Sequence, residues 1–166
     1  MQCPVPVGGQ RIEVGVGELA VARAPDVLVT SVLGSCIGVA LWDAFTQSGG
    51  LAHVMLPDLL EGGRGDADDR YASIAIPRMV RMLSESGAPS FRLVAKIAGG
   101  ASMFGADSAV ANVGERNLAA VRKHLDAAGV EVVAEDVGGS HARTVELRLD
   151  SGTLVVRSYV YGVREL

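Results

Sequence analysis

The chain has 166 residues, 49% of them hydrophobic and 20% charged, with a formal net charge of −4. That length suits one compact core, and acids and bases that intersperse rather than cluster exclude the Lys/Arg footprint of a nucleic-acid surface. Two cysteines are too few for a disulfide framework, no segment offers about 18 uninterrupted apolar residues, and no signal-peptide pattern opens the chain. The expectation is a cytoplasmic protein, free of nucleic acid and not inserted in a membrane.

Aromatics make up only 4% while glycine alone counts 21 residues, so the core is expected to use small and β-branched side chains with close backbone approaches. Residues 1–10, with Pro4, Pro6 and a glycine pair, read as a flexible start, and 11–166 as a single domain. Strands are expected over Arg11 to Val16, Glu18 to Arg23, Val27 to Val32, Ile37 to Trp42 and Gly49 to Leu56, the last stopped by Pro57. Gly34 and Ser35 break the apolar run just before Cys36, where a turn or bulge would lift a side chain out of the pleat.

From Leu59 to Arg70 the composition turns to Gly and Asp, which predicts a surface loop. A helix follows over Tyr71 to Ser86, with Ile74, Met79, Val80, Met82 and Leu83 as its apolar stripe, Pro77 near its first turn and Gly87 as its stop. Arg78 to Arg81, the one basic-looking stretch, reads as the solvated face of that helix. Arg92 to Ile97 is a strand. A second helix starts at Asn112, which with Glu115 spells a capping box, carries Leu118, Val121 and Leu125 as its stripe, and ends at Gly129. Val130 to Ala134, Thr144 to Leu149 and Leu154 to Tyr161 complete the chain as strands, the last two joined at Asp150-Ser151-Gly152. The fold class is α+β: one strand-rich, layered α/β sandwich with two main helices.

Cys36 stands in Leu33-Gly34-Ser35-Cys36-Ile37-Gly38. A free Cys in an apolar strand is ordinarily a small buried hydrophobe. Here its small neighbours also leave room for a substrate, and amides beside Gly34 and Ser35 would suit an oxyanion site. A thiol needs activation, because the thiolate is the nucleophile. His53, in Leu51-Ala52-His53-Val54, is either a core imidazole satisfied by backbone or the base that takes the thiol proton. A third group ordinarily orients such an imidazole; Thr30, an even number of residues before Cys36, and Ser35 are both open for that part. His124, in an exposed-looking helix, and His141, in a Gly/Ser loop, are poorer bases.

Three other patterns weigh less. Gly15-Val16-Gly17-Glu18-Leu19-Ala20 has the GxGxxA spacing of a dinucleotide fingerprint, but β-like sequence follows where a helix must open. Asp66, Asp68 and Asp69 lack the Gly and distal Glu of a calcium loop. Gly99-Gly100 and Gly138-Gly139 each follow a strand and mark turns or close backbone approach to a ligand.

Thr30 with Leu33-Gly34-Ser35-Cys36, His53-Val54-Met55-Leu56-Pro57, Tyr71-Ala72, Lys96-Ile97-Ala98-Gly99-Gly100-Ala101, Gly114-Glu115-Arg116-Asn117 and Ala134-Glu135-Asp136-Val137-Gly138-Gly139 with Arg143-Thr144 run in order over nearly the whole chain. In this set the sequence closely resembles the CheD family of chemoreceptor glutamine deamidases. The resemblance implies Cys36 as nucleophile, His53 as base and Thr30 as orienting residue, with Gly34 and Ser35 lining the site. It implies a fold similar to the catalytic domains of cytotoxic necrotizing factor toxins, receptor cytoplasmic domains as substrate, and the CheC phosphatase as partner where the organism has one. Neither metal nor organic cofactor is required by that chemistry, which extends to glutamyl methyl esters, and no feature argues for more than a monomer. A non-catalytic adaptor that binds CheC or receptors is the alternative. One departure stands out: Ser140-His141-Ala142 precedes Arg143 where a glycine is expected, which leaves the conformation of that loop open.

Overall fold

The computed structural model describes residues 4–59, 68–105 and 112–166. Cys3 and most of the Gly/Asp-rich segment, Asp66 included, lie outside the described residues. The strands, in chain order, are β1 (Arg11–Glu13), β2 (Leu19–Arg23), β3 (Val27–Leu33), β4 (Ile37–Asp43), β5 (Ser48–Val54), β6 (Val94–Gly99) and β7 (Glu131–Val137). They continue with β8 (Arg143–Arg148), β9 (Leu154–Ser158) and β10 (Gly162–Glu165), and the helices are α1 (Ala72–Glu85) and α2 (Val113–Ala127). An outer sheet runs β1-β3-β8-β9-β10 and a central sheet runs β2-β5-β4-β6-β7. Pairing is antiparallel except for β1 with β3 and β6 with β7, which are parallel.

Side-chain alternation along the central sheet builds both cores. Ile37, Val39 and Leu41 of β4, Ala52 and Val54 of β5, and Ala95 and Ile97 of β6 pack against Ala75, Ile76, Met79, Val121 and Leu125 of the helices. The opposite face gives Ala40, Leu51 and Ala98 to Leu28, Leu33, Val145, Leu147 and Leu154 of the outer sheet. The result is three layers, helices on sheet on sheet, as the α+β expectation held. His53, one residue past Ala52, therefore points between the two sheets.

Helix α1 buries Ala72, Ala75, Ile76, Met79 and Leu83; Ile74, Val80 and Met82 from the predicted stripe stand half-buried at its margins. Pro77 lies in the second turn rather than the first, on an exposed position, where its missing N–H removes the bond to the carbonyl of residue 73. Gly87, at φ +101°, lets Ala88 donate to the Leu83 carbonyl at 2.9 Å and closes the helix. Helix α2 ends the same way, Gly129 at φ +70°. Its start differs from expectation: Asn112 makes no side-chain capping bond. With φ −98° and ψ 8° it lacks the extended backbone that aims a capping oxygen at the first free amides.

Strand bounds differ from the expectation at several places, among them β1, which stops at Glu13 rather than Val16, β6, which starts at Val94 rather than Arg92 and runs on to Gly99, and the run from Leu154 to Tyr161, which ends early. Arg92 closes a 3-10 turn, Ser90–Arg92, because its guanidinium reaches back to Asp43 at 2.8 Å and to the Gly87 carbonyl at 2.6 Å. The run after Leu154 stops at Ser158, and β10 folds back on β9 with Gly162 opposite Ser158. The β-prone Tyr159-Val160-Tyr161 hides this reversal, which Gly162 at φ +73° permits. The loop after β7 takes left-handed Gly138 and Gly139, and buried Arg143 fastens it through Asp136 and the Gly138 carbonyl, each at 2.9 Å. That fastening holds the loop without a glycine at position 142.

Gly99 joins the fold to the Cys36 segment. It sits at φ +112°, and a β-carbon there would lie 2.2 Å from the Cys36 carbonyl oxygen, a contact that requires backbone movement. Gly99→Ala is expected to cost about 2–4 kcal/mol from the disfavoured dihedral plus overpacking. Urea unfolding of the variant against the parent measures it.

Candidate active site

A bulge in β3 sets the site. Thr30 pairs with Val145 and Leu33 with Arg143, so Ser31 and Val32 together oppose Thr144 alone. Val32 takes φ +60°, rare for a β-branched residue. The extra residue lets Thr30 and Leu33, three positions apart, both turn inward, and both are fully buried. Simple alternation from Thr30 to Cys36 therefore does not hold, and the distortion lies at Ser31 and Val32 rather than Gly34.

His53 faces Thr30 across the gap between the sheets, Thr30 Oγ1 to His53 Nδ1 at 2.7 Å. The same hydroxyl donates to the Val14 carbonyl at 2.7 Å. A threonine hydroxyl has one proton and a carbonyl only accepts, so the proton goes to Val14 and Nδ1 must supply its own N–H to Thr30. The imidazole is thereby fixed as the Nδ1–H tautomer with the lone pair on Nε2. Nε2 is buried and has no hydrogen-bond partner among the described residues. Burial pushes the imidazole pKa down, so the ring is held neutral. Its backbone is clamped to the β1–β2 connection, N–H to the Glu18 carbonyl at 2.9 Å and carbonyl to the Gly17 amide at 3.0 Å.

Gly38 stands opposite His53 in the β4–β5 ladder. A β-carbon there would meet a Leu33 methyl at 2.9 Å and Val145 at 3.3 Å; glycine lets the outer sheet close over this point. Cys36, two residues before Gly38 on the approach to β4, is thus a diagonal neighbour of His53, about 7–8 Å away between backbones, and it packs against the inter-sheet core. Cys36 is half-buried. Burial raises its thiol pKa, and its own backbone N–H pulls in the other direction.

The carbonyls of the Gly34-Ser35-Cys36 segment are all engaged by protein donors: Gly34 by the Ala101 amide at 2.8 Å, Cys36 by the Gly100 amide at 2.9 Å, and Ser35 by Asn117 Nδ2 at 3.0 Å. Gly99-Gly100 thus bring backbone up to Cys36. Gly138 continues the wrap by donating to the Gly99 carbonyl at 2.9 Å.

The weaker sequence patterns resolve differently. Gly15 binds the Glu18 carboxylate at 2.9 Å and strand β2 follows, so no helix opens at the GxGxxA. Asp68 pairs with Arg70 and Asp69 with Arg78. His124 is only 17% exposed and sits 2.5 Å from Asp58, less open than expected. His141 packs its edge against Tyr161. Asn117 is the residue to which reading the sequence attached no role, and its signal was present: a polar side chain at helical spacing from Gly114, Val121 and Leu125, all buried on α2.

Residues 55–158 match the family model described as CheD chemotactic sensory transduction. The chain belongs to the CheD family. It is 48% identical over 144 residues to the chemoreceptor glutamine deamidase CheD of Thermotoga maritima, covering 87% of this chain and 89% of the relative. It is 43% identical to a probable chemoreceptor glutamine deamidase CheD of Moorella thermoacetica (90% of this chain, 91% of the relative) and 41% identical to the chemoreceptor glutamine deamidase CheD of Bacillus licheniformis (92% of each). Matches of that length leave too few residues outside to omit positions 30 to 53. The family segment itself begins two residues after His53.

The buried, neutral His53 gives this CheD chain a pH signature. Its folded pKa lies below the unfolded value, so the unfolded chain takes up a proton first as pH falls. Stability from this group is full above about pH 6.5 and is lost below it, with a slope of up to about 1.4 kcal/mol per pH unit. Unfolding free energies from urea titrations are expected to hold between pH 7.5 and about 6.5 and to fall from there toward pH 5 with at most that slope, and His53→Gln to flatten the fall.

Proposed function

We propose that this chain hydrolyses glutamine side-chain amides on chemoreceptors, with Cys36 as nucleophile, His53 as base and Thr30 as the group that orients His53. The observation that carries the reading is the Val14 carbonyl, Thr30 hydroxyl, His53 Nδ1 chain, which leaves a buried Nε2 lone pair without a partner. The names of the relatives, chemoreceptor glutamine deamidase CheD, supply the substrate class.

The resting pair is a protonated thiol and a neutral imidazole, since burial raises the one pKa and lowers the other. Cys36 Sγ attacks the carboxamide carbon as its proton passes to Nε2. Backbone N–H groups beside Gly34 and Ser35 receive the oxyanion, their carbonyls being tied to Ala101 and Asn117 on the protein side. Nε2 returns the proton to the nitrogen as the C–N bond breaks, and ammonia leaves. Water, deprotonated by Nε2, attacks the thioester and releases glutamate and the thiol. A glutamyl methyl ester enters the same sequence with methanol as leaving group.

The reading extends to a cytoplasmic monomer that acts on receptor cytoplasmic domains and docks on CheC where the organism has one. Its domain is 11–166, with the layered fold akin to that of the cytotoxic necrotizing factor catalytic domain; residues 1–3 of the segment expected to lead it lie outside the described residues.

A receptor cytoplasmic fragment incubated with the parent chain is expected to gain the amide-to-acid mass change at individual glutamines. Cys36→Ala is expected to lose at least about 10³-fold in rate, and Thr30→Val about 10–100-fold through loss of ring orientation. Equal turnover by the parent and Cys36→Ala would overturn the assignment. Receptor or CheC binding without turnover by the parent would favour the adaptor.

A further inference from the structure

Asn117 lies on the helix layer, yet its side chain reaches the ends of both strands that carry the thiol and the imidazole. It is fully buried. Nδ2 donates to the Ser35 carbonyl and to the Met55 carbonyl, both at 3.0 Å. Ser35 immediately precedes Cys36 at the entry to β4, and Met55 follows His53 by two residues at the exit of β5. The β4–β5 ladder itself ends at Ile37 with Val54, so beyond that rung Asn117 is what joins the two ends from the helix side.

We infer that Asn117 is a positioning residue: its carboxamide clamps the open end of the β4–β5 pair and holds Cys36 at a fixed separation from His53. This rests on the roles proposed above for those two residues. Global stability is a poor explanation for the side chain. Its Oδ1 is buried without a partner among the described residues, and the penalty for one orphan acceptor is about the size of the net gain from two neutral hydrogen bonds. The gain that remains is geometric. Lateral slack of about 1 Å between reacting groups is enough to cost about 100-fold in rate.

The clamp also seals. Helix α2 presses Gly114 against the backbone of Gly100 and Ala101, where a β-carbon on Gly114 would sit 2.5 Å from the Gly100 carbonyl. The helix thus holds both flanks of the Cys36 segment, and loosening its Asn117 contact admits water toward His53. The imidazole pKa then moves back up toward its ordinary value of about 6.5.

The test uses the full chain with Asn117→Leu, which keeps the volume and removes the donors, and Asn117→Ala, which leaves space for a bridging water. Two readouts are taken: deamidation of a receptor fragment, and NMR titration of the His53 imidazole, which needs no substrate. The expected result is a kcat lowered about 10–100-fold with KM within about 3-fold, together with an upward shift of the His53 titration, larger in Leu than in Ala. Unchanged kcat and an unmoved titration in folded variants would overturn the inference, as would a loss confined to KM. Failure of both variants to fold would also overturn it, since Asn117 would then be a structural requirement. Should the parent chain itself not deamidate the fragment, the proposed activity fails, while the titration still decides the clamp.

Discussion

One proton organises this site. The Thr30 hydroxyl has a single hydrogen to give, the Val14 carbonyl takes it, and the imidazole of His53 has to donate from Nδ1 in return. Tautomer, ring orientation and the free lone pair on Nε2 all follow from that count. The rest of the fold serves to keep the three groups there: the outer sheet carries Thr30, the central sheet carries His53, and the β1–β2 connection brings Val14.

Such a chain survives only in a dry interior. Leu28, Leu33, Val145 and Leu147 close the space between the sheets, and Gly38 lets Leu33 lie directly against the β4 backbone opposite His53. In that setting a charged imidazole is unfavourable and so is a thiolate, which is why both groups rest neutral. In the proposed reaction, charge develops only when a substrate carbonyl is present to receive the sulfur. This differs from a standing thiolate–imidazolium pair and protects a half-buried cysteine from adventitious chemistry.

Much of this was legible in the sequence, for reasons tied to particular residues. Short apolar and β-branched runs bounded by Gly or Pro exposed the strands, and a histidine inside Leu51-Ala52-His53-Val54 stood out because its neighbours in that run are all apolar. The helices were legible from their stripes and from Gly87 and Gly129. Thr30 was not, since a threonine in a strand is ordinary and the bulge at Ser31 and Val32 cancels the parity on which an argument from spacing depends; the resemblance to CheD proteins brought it forward. The reversal at Tyr159 to Gly162 was hidden under residues of high β-propensity. Asn117 was visible as a polar residue at helical spacing from buried Gly114, Val121 and Leu125, but the contacts it makes depend on a three-way approach of α2, β4 and β5 that no local pattern encodes, and Asn112 failed as a cap because its backbone turns away from the extended region.

The central claim is that His53 is neutral with its hydrogen on Nδ1 and its lone pair on Nε2. Nitrogen-15 NMR of the imidazole at neutral pH tests it most directly. A ring with a protonated Nδ1 coupled to Thr30 and an unprotonated Nε2 is the predicted result, and a ring protonated at Nε2 or at both nitrogens would contradict it.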